Sequence, residues 1–238
     1  MSETNFSGVN FALKFKNYDP NQVTADVTIN AVFVLDVSPS MDEQLQGSNK
    51  SRIDALNEGL NEFIAEMQSS HIKDSLFVSE IKFANKPEVV HGFRPIMDVQ
   101  PHTLTTEGGS TALYDAVKEG IGNAMNYREQ LEKTGINCKT LIFAITDGED
   151  NRSGHNSANE VKSMIKDILK NEQNAFSFTS IIFGIGEDSS VDDAMNAMGF
   201  QHKASVGNTA KDIRKMINFI SSSISSSASG KAVSTVNF

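Results

Sequence analysis

The chain has 238 residues, 39% of them hydrophobic and 21% charged, the balance of one soluble domain with a short extension. A formal net charge of -9 disfavours nucleic acid and anionic lipid as partners, and the single cysteine, Cys138, excludes an internal disulfide and a Cys-rich zinc knuckle. No apolar run approaches the ~20 residues of a membrane helix, and the polar opening lacks the layout of a secretory signal, so a cytoplasmic location without membrane insertion is expected.

Residues 1–22 read as a lead-in. Its alternating segment Val9 to Phe15 suits an added edge strand, and the turn Tyr18-Asp19-Pro20-Asn21 follows. Val27 to Val37 is a β-branched, nearly continuous apolar run, the mark of a central strand buried on both faces. Ile53, Leu56, Leu60, Phe63, Ile64 and Met67 recur at helical spacing. Leu76 to Ala84 is a second strand, with Pro87 to His91 as its hairpin partner. Gly108-Gly109-Ser110-Thr111 opens a helix with the stripe Leu113, Val117, Ile121 and Met125, and Ser110 is its expected cap. Thr140 to Thr146 is another buried strand, broken by Asp147-Gly148. A polar loop through His155 leads to a helix with Val161, Met164, Ile165, Ile168 and Leu169 on one face. Phe178 to Ile185 is again strand, closed by Gly186-Glu187-Asp188. A short helix over Val191 to Met198, a weak strand near Lys203 to Val206, and a helix with Ile213, Met216, Ile217, Ile220 and Ile224 complete the series.

This order predicts an α/β fold, a doubly wound and mainly parallel sheet with one antiparallel edge strand and helices on both faces, where ligands bind beyond the carboxyl ends of the strands. The domain is expected over 23–226. The Ser-rich stretch 227–238, with Val233, Val236 and Phe238, lacks a periodic apolar face and reads as a flexible tail.

Three strand-end loops carry the chemistry. Asp36-Val37-Ser38-Pro39-Ser40 places a carboxylate and two hydroxyls at alternate positions, which point one way in an extended segment. Glu107-Gly108-Gly109-Ser110-Thr111 brings hydroxyls to a helix start, with glycines that admit close backbone approach. Thr146-Asp147-Gly148-Glu149-Asp150 sets a carboxylate at the tip of a later buried strand. Hard divalent cations take oxygen ligands, and magnesium keeps waters. Each loop alone reads more simply as a turn or a helix start. Their joint occurrence at one sheet edge favours a cation site.

These elements resemble the von Willebrand factor type A domain family and its metal-ion-dependent adhesion site, Asp-x-Ser-x-Ser followed by a distant Thr and a distant Asp. Asp36, Ser38 and Ser40 match the first element, Thr111 the second and Asp147 the third, and the likeness extends over about residues 28–226. Within the family the chain looks most like intracellular bacterial members associated with tellurite resistance and stress operons. The resemblance implies a cation, Mg2+ foremost with Mn2+ or Ca2+ as substitutes, touched by Ser38, Ser40 and Thr111, with Asp36 and Asp147 acting through water or by exchange on ligand binding. It implies a non-enzymatic module that binds an Asp or Glu of a protein partner in a stress-response or signalling assembly.

The competing class is a metal-dependent phosphoryl hydrolase using Asp36, but Ser38 stands where such enzymes keep a second acid. A serine hydrolase lacks its Gly-x-Ser-x-Gly elbow. Gly184-Ile185-Gly186 lacks the third glycine of a phosphate loop. His71, His91, His102, His155 and His202 show no metal-type pairing and read as surface or loop residues. Asp42, Glu43, Glu107, Glu149 and Asp150 read as solvated acids, and Cys138 as an inert packing residue.

Overall fold

The computed structural model describes residues 9–155, 157–171, 177–186 and 189–231. Six strands form one sheet: β1 (Val27–Asp36), β2 (Leu76–Phe83), β3 (Pro87–Pro95), β4 (Asn137–Thr146), β5 (Phe178–Ile185) and β6 (His202–Val206). Their order is β3-β2-β1-β4-β5-β6, with β3 antiparallel to β2 and every other pair parallel. The helices are α1 (Arg52–Gln68), α2 (Leu113–Lys133), α3 (Ser157–Asn171), α4 (Ser189–Met198) and α5 (Ala210–Ala228).

The continuous apolar run of β1 feeds two separate cores because successive side chains face opposite ways. Ile29, Ala31, Phe33 and Leu35 pack under α1 and α5, and Val32 and Val34 pack under α2 and α3. Phe33 meets Phe63 of α1 edge-on at 5.1 Å between ring centroids. Gly59 lets α1 and α5 close up: a Cβ there would lie 2.6 Å from Ile217. Leu169, assigned to the buried stripe of α3, is instead 38% exposed at the margin of that face.

The lead-in adds no strand over the described residues 9–19. It crosses α2 and β3 as an irregular strap. The Glu119 carboxylate of α2 accepts from the amides of Ala12 at 2.6 Å and Leu13 at 3.0 Å. Asn17 accepts from the Phe93 amide and donates to Asn123, while Val9, Leu13, Phe15 and Tyr18 pack on the α2 side of the core. The carboxylate takes the Ala12 and Leu13 amide bonds that an edge strand would have given to a neighbour, and among the described residues of the lead-in the Tyr18 amide alone reaches β3, at the Phe93 carbonyl, 2.6 Å away.

At the other end α5 runs to Ala228, so Ser227 and Ala228, expected in the tail, form its last turn, and the Ser227 carbonyl accepts from Lys139 at 2.5 Å. Val233, Val236 and Phe238 lie outside the described residues, as do Glu187 and Asp188. His91 is not a surface histidine: it is buried and faces Glu80 of β2. Cys138 is buried, and burial pushes its thiol up to about 11. Among the described residues no helix is long and apolar enough to cross a membrane.

Candidate functional site

From β1 the chain passes through α1 to β2 on one side, and from the β2–β3 hairpin through α2 to β4 on the other. The order of strands therefore reverses between β1 and β4, and a crevice opens beyond their carboxyl ends. Asp36 ends β1 fully buried. One of its oxygens accepts from the Ser38 amide at 2.8 Å and the other from the Thr146 hydroxyl, at the end of β4, at 2.6 Å. Pro39 holds the preceding Ser38 extended at φ -65°, ψ 162°, and opens a short 3-10 turn, Pro39–Asp42. The Ser38 and Ser40 hydroxyls lie 3.1 Å apart, and Ser40 donates to Asp147 at 2.7 Å. Asp36, Ser38, Ser40 and Asp147 thus form one hydrogen-bonded network across the crevice.

The loop carrying Thr111 is docked onto both of its neighbours. The Glu107 amide donates to the Val37 carbonyl at 2.8 Å, and Thr111 exchanges a pair of bonds with Asn151, its amide to the Asn151 side chain at 2.8 Å and its carbonyl from the Asn151 amide at 3.0 Å. Gly108 turns with φ +74°, beneath Asn85, whose side-chain oxygen accepts from the Gly109 amide and the Ser110 hydroxyl. Ser110 is therefore not the helix cap. Ala112 holds the cap position without a side-chain bond, and the α2 amides of Tyr114 and Asp115 are taken by Asp150 at 3.0 Å and Ser153 at 2.9 Å. The loop after β4 caps α2 across space and grips the Thr111 backbone through Asn151, while the Thr111 hydroxyl is not part of the hydrogen-bonded network of Asp36, Ser38, Ser40 and Asp147.

Arg52 completes the site and escapes a pattern-based reading. Its guanidinium, in a residue 9% exposed, donates to Asp147 at 2.8 Å, to the Ser40 carbonyl at 3.3 Å and to Asn208 at 3.0 Å, and pairs with Glu43 at 3.0 Å. A signal existed: Arg52 lies four residues before Leu56 and so falls on the buried row of α1. The acids read as solvated are partly engaged too, Asp42 by the Thr106 hydroxyl, Glu107 by Lys82 and Asp150 by α2.

Burial foremost, then the charge of Asp147, pushes the Asp36 carboxyl up to about 6. Burial likewise raises Asp147, against hydrogen bonds from Ser40 and Arg52 that lower it. No ion pair reaches Asp36 among the described residues. A buried carboxylate without a counter-charge is costly, and a cation beside it offsets that cost. The donors at the network are all oxygen, as a hard divalent cation requires. Among the described residues no three His, Cys, Asp or Glu side chains are arranged to hold a metal, so a cation here depends on the hydroxyls. In donor chemistry, these side-chain oxygens fit a hard divalent cation.

Comparisons agree with the architecture. The chain spans 85% of its own length and 62% of the PilB minor pilin from Streptococcus sanguinis at 15% identity and a TM-score of 0.55. It matches 84% of its length to 99% of the conserved hypothetical protein BatB from Bacteroides thetaiotaomicron, at 16% identity and a TM-score of 0.54. The SpaC pilus adhesin from Lactobacillus rhamnosus GG gives 14% identity and a TM-score of 0.61, over 90% of this chain and 32% of the adhesin. At these identities the likeness is one of fold. No curated protein matches the chain. The sequence profile of the von Willebrand factor type A domain matches residues 31–149, half of the chain and the stretch that holds Asp36, Ser38, Ser40, Thr111 and Asp147. The chain belongs to the von Willebrand factor type A domain family.

Proposed function

We propose that the chain is a divalent-cation-dependent protein-binding module that takes an Asp or Glu of a partner at the carboxyl edge of its sheet. The observation that carries this reading is the continuous network Asp36–Ser38–Ser40–Asp147 across the β1/β4 crevice. Ser38, Ser40 and Thr111 would hold the ion, with Asp36 and Asp147 behind them, Mg2+ first and Mn2+ or Ca2+ as substitutes. Bound there, the ion supplies a Lewis-acidic position open to a carboxylate from outside. Asp36 orders the Ser38 amide, Ser40 is aligned by Asp147, and the Asn151 pair fixes the Thr111 backbone. Hydroxyl ligands leave more of the ion's charge for the incoming acid than carboxylates would.

From the sequence resemblance to intracellular stress-type members alone, we infer a cytoplasmic role in a stress-response or signalling assembly. The minor pilin and the pilus adhesin that share the fold are surface proteins by name, so location is a separate question for fractionation. Binding rather than turnover is favoured because Asp36 is fully buried with both oxygens engaged, a poor position for a phosphoryl nucleophile. Hydrolysis of p-nitrophenyl phosphate abolished by Asp36→Asn would reverse that choice. The direct test captures partners on the immobilised chain in millimolar Mg2+ and in chelator. Retention only in Mg2+, lost with Thr111→Ala, is expected, whereas equal retention in all arms overturns the proposal.

A further inference from the structure

The Arg52 guanidinium is a permanent positive charge built into the site. It holds one oxygen of Asp147 while Ser40 donates to the other, and Glu43, at the opening, takes its second edge. Asn208 fixes its Nε from the loop before α5, so the side chain is anchored from three segments of the chain. Arginine stays protonated at any working pH. We propose that Arg52 is an affinity-setting residue, an internal cation that occupies Asp147 and must be displaced or tolerated when a divalent ion binds. This inference rests on the cation reading given above.

Its sign follows from Coulomb's law at short range, where a positive charge already on a ligand lowers the attraction for a second one. A purely architectural Arg52 has the opposite consequence, because losing it would release Asp147 and disorder a ligand. The two roles therefore predict opposite changes in cation affinity.

The experiment titrates Mn2+ into the full chain and follows free Mn2+ by electron paramagnetic resonance, in wild type, Arg52→Gln and Arg52→Lys. Arg52→Gln is expected to tighten Mn2+ by about fivefold or more, a coupling of ordinary size. Arg52→Lys keeps the charge while losing the planar fork, and its affinity is expected to stay within about twofold of wild type. Weaker or unchanged binding by folded Arg52→Gln overturns the inference and leaves the cation reading standing. Should Arg52→Gln fail to fold, Arg52→Lys decides: affinity held supports the charge role, and affinity lost assigns Arg52 to architecture. Binding by Arg52→Gln alone supports the inference in its strongest form. Absence of Mn2+ binding in all three proteins sinks the cation reading itself, and the inference with it.

Discussion

Asp150 and Ser153 act on a helix to which they do not belong, since they receive the Tyr114 and Asp115 amides that open α2. A cap from across the fold should be worth what a local one is, so Asp150→Ala is expected to cost about 0.5–2 kcal/mol in urea unfolding. Ser110→Ala, which loses only a bond to Asn85, should cost clearly less; the reverse ranking would return the cap to Ser110. Glu80 offers a second residue-scale test. Its carboxylate accepts from His102 at 2.8 Å and stands 3.9 Å from His91. The bond to Glu80 raises His102 above its ordinary value of 6.5, and burial lowers His91. A raised histidine contributes stability that is whole below about 6.5 and is lost as pH rises through the folded value. Thermal melts of His102→Gln should therefore fall further below wild type at pH 6 than at pH 8.5, by ~1 kcal/mol at the acid end. An equal gap at both would remove the charge from the account. None of this pairing was legible in the sequence, because Glu80, His91 and His102 come together through a hairpin and a loop whose register no local pattern sets. That Asp36, Ser38, Ser40 and Asp147 stand together at strand ends was legible, because strand ends announce themselves at short range, whereas the Asn151 grip on the Thr111 backbone was not.

Among the elements, the strands and helices followed from periodicity because each has a continuous apolar face to bury. The lead-in had alternation without a partner in view, and the amides of Ala12 and Leu13 went to Glu119, with only the Tyr18 amide among the described residues reaching β3, at the Phe93 carbonyl. That substitution gives the strap an energetic role. Val9, Leu13 and Phe15 are partly buried on the α2 core. Removing residues 1–15 should cost about 2–4 kcal/mol in total, taking roughly half of the ~1.5–3 kcal/mol that full burial of each such side chain contributes. Chemical unfolding compares the shortened chain with the full one, and coincident curves would show that the strap rests on the fold without holding it.

For the whole molecule, the decisive feature is that the candidate ligands come from distant parts of the chain, and that Asp36, Ser38, Ser40 and Asp147 meet only where the strand order reverses. Asp36 and Ser38 leave β1, Thr111 arrives ahead of α2, and Asp147 leaves β4, so an unfolded chain holds no comparable site. An ion that recognises this arrangement binds the native state alone and stabilises it by mass action, by ~2.7 kcal/mol at ~100 times its dissociation constant. In a domain of this size that is a rise of about 5–10 °C in Tm. Melting curves in excess Mg2+ and in chelator should differ by that order, with Ca2+ giving no larger shift because few of the ligands are charged. Thr111→Ala should abolish most of the shift and leave the metal-free Tm in place, since Asn151 grips its backbone and Asp150 and Ser153 cap the helix independently of that hydroxyl. If wild-type curves in Mg2+ and chelator superimpose, the network at the crevice is a structural clamp between β1 and β4, and the family likeness then describes the fold without its metal.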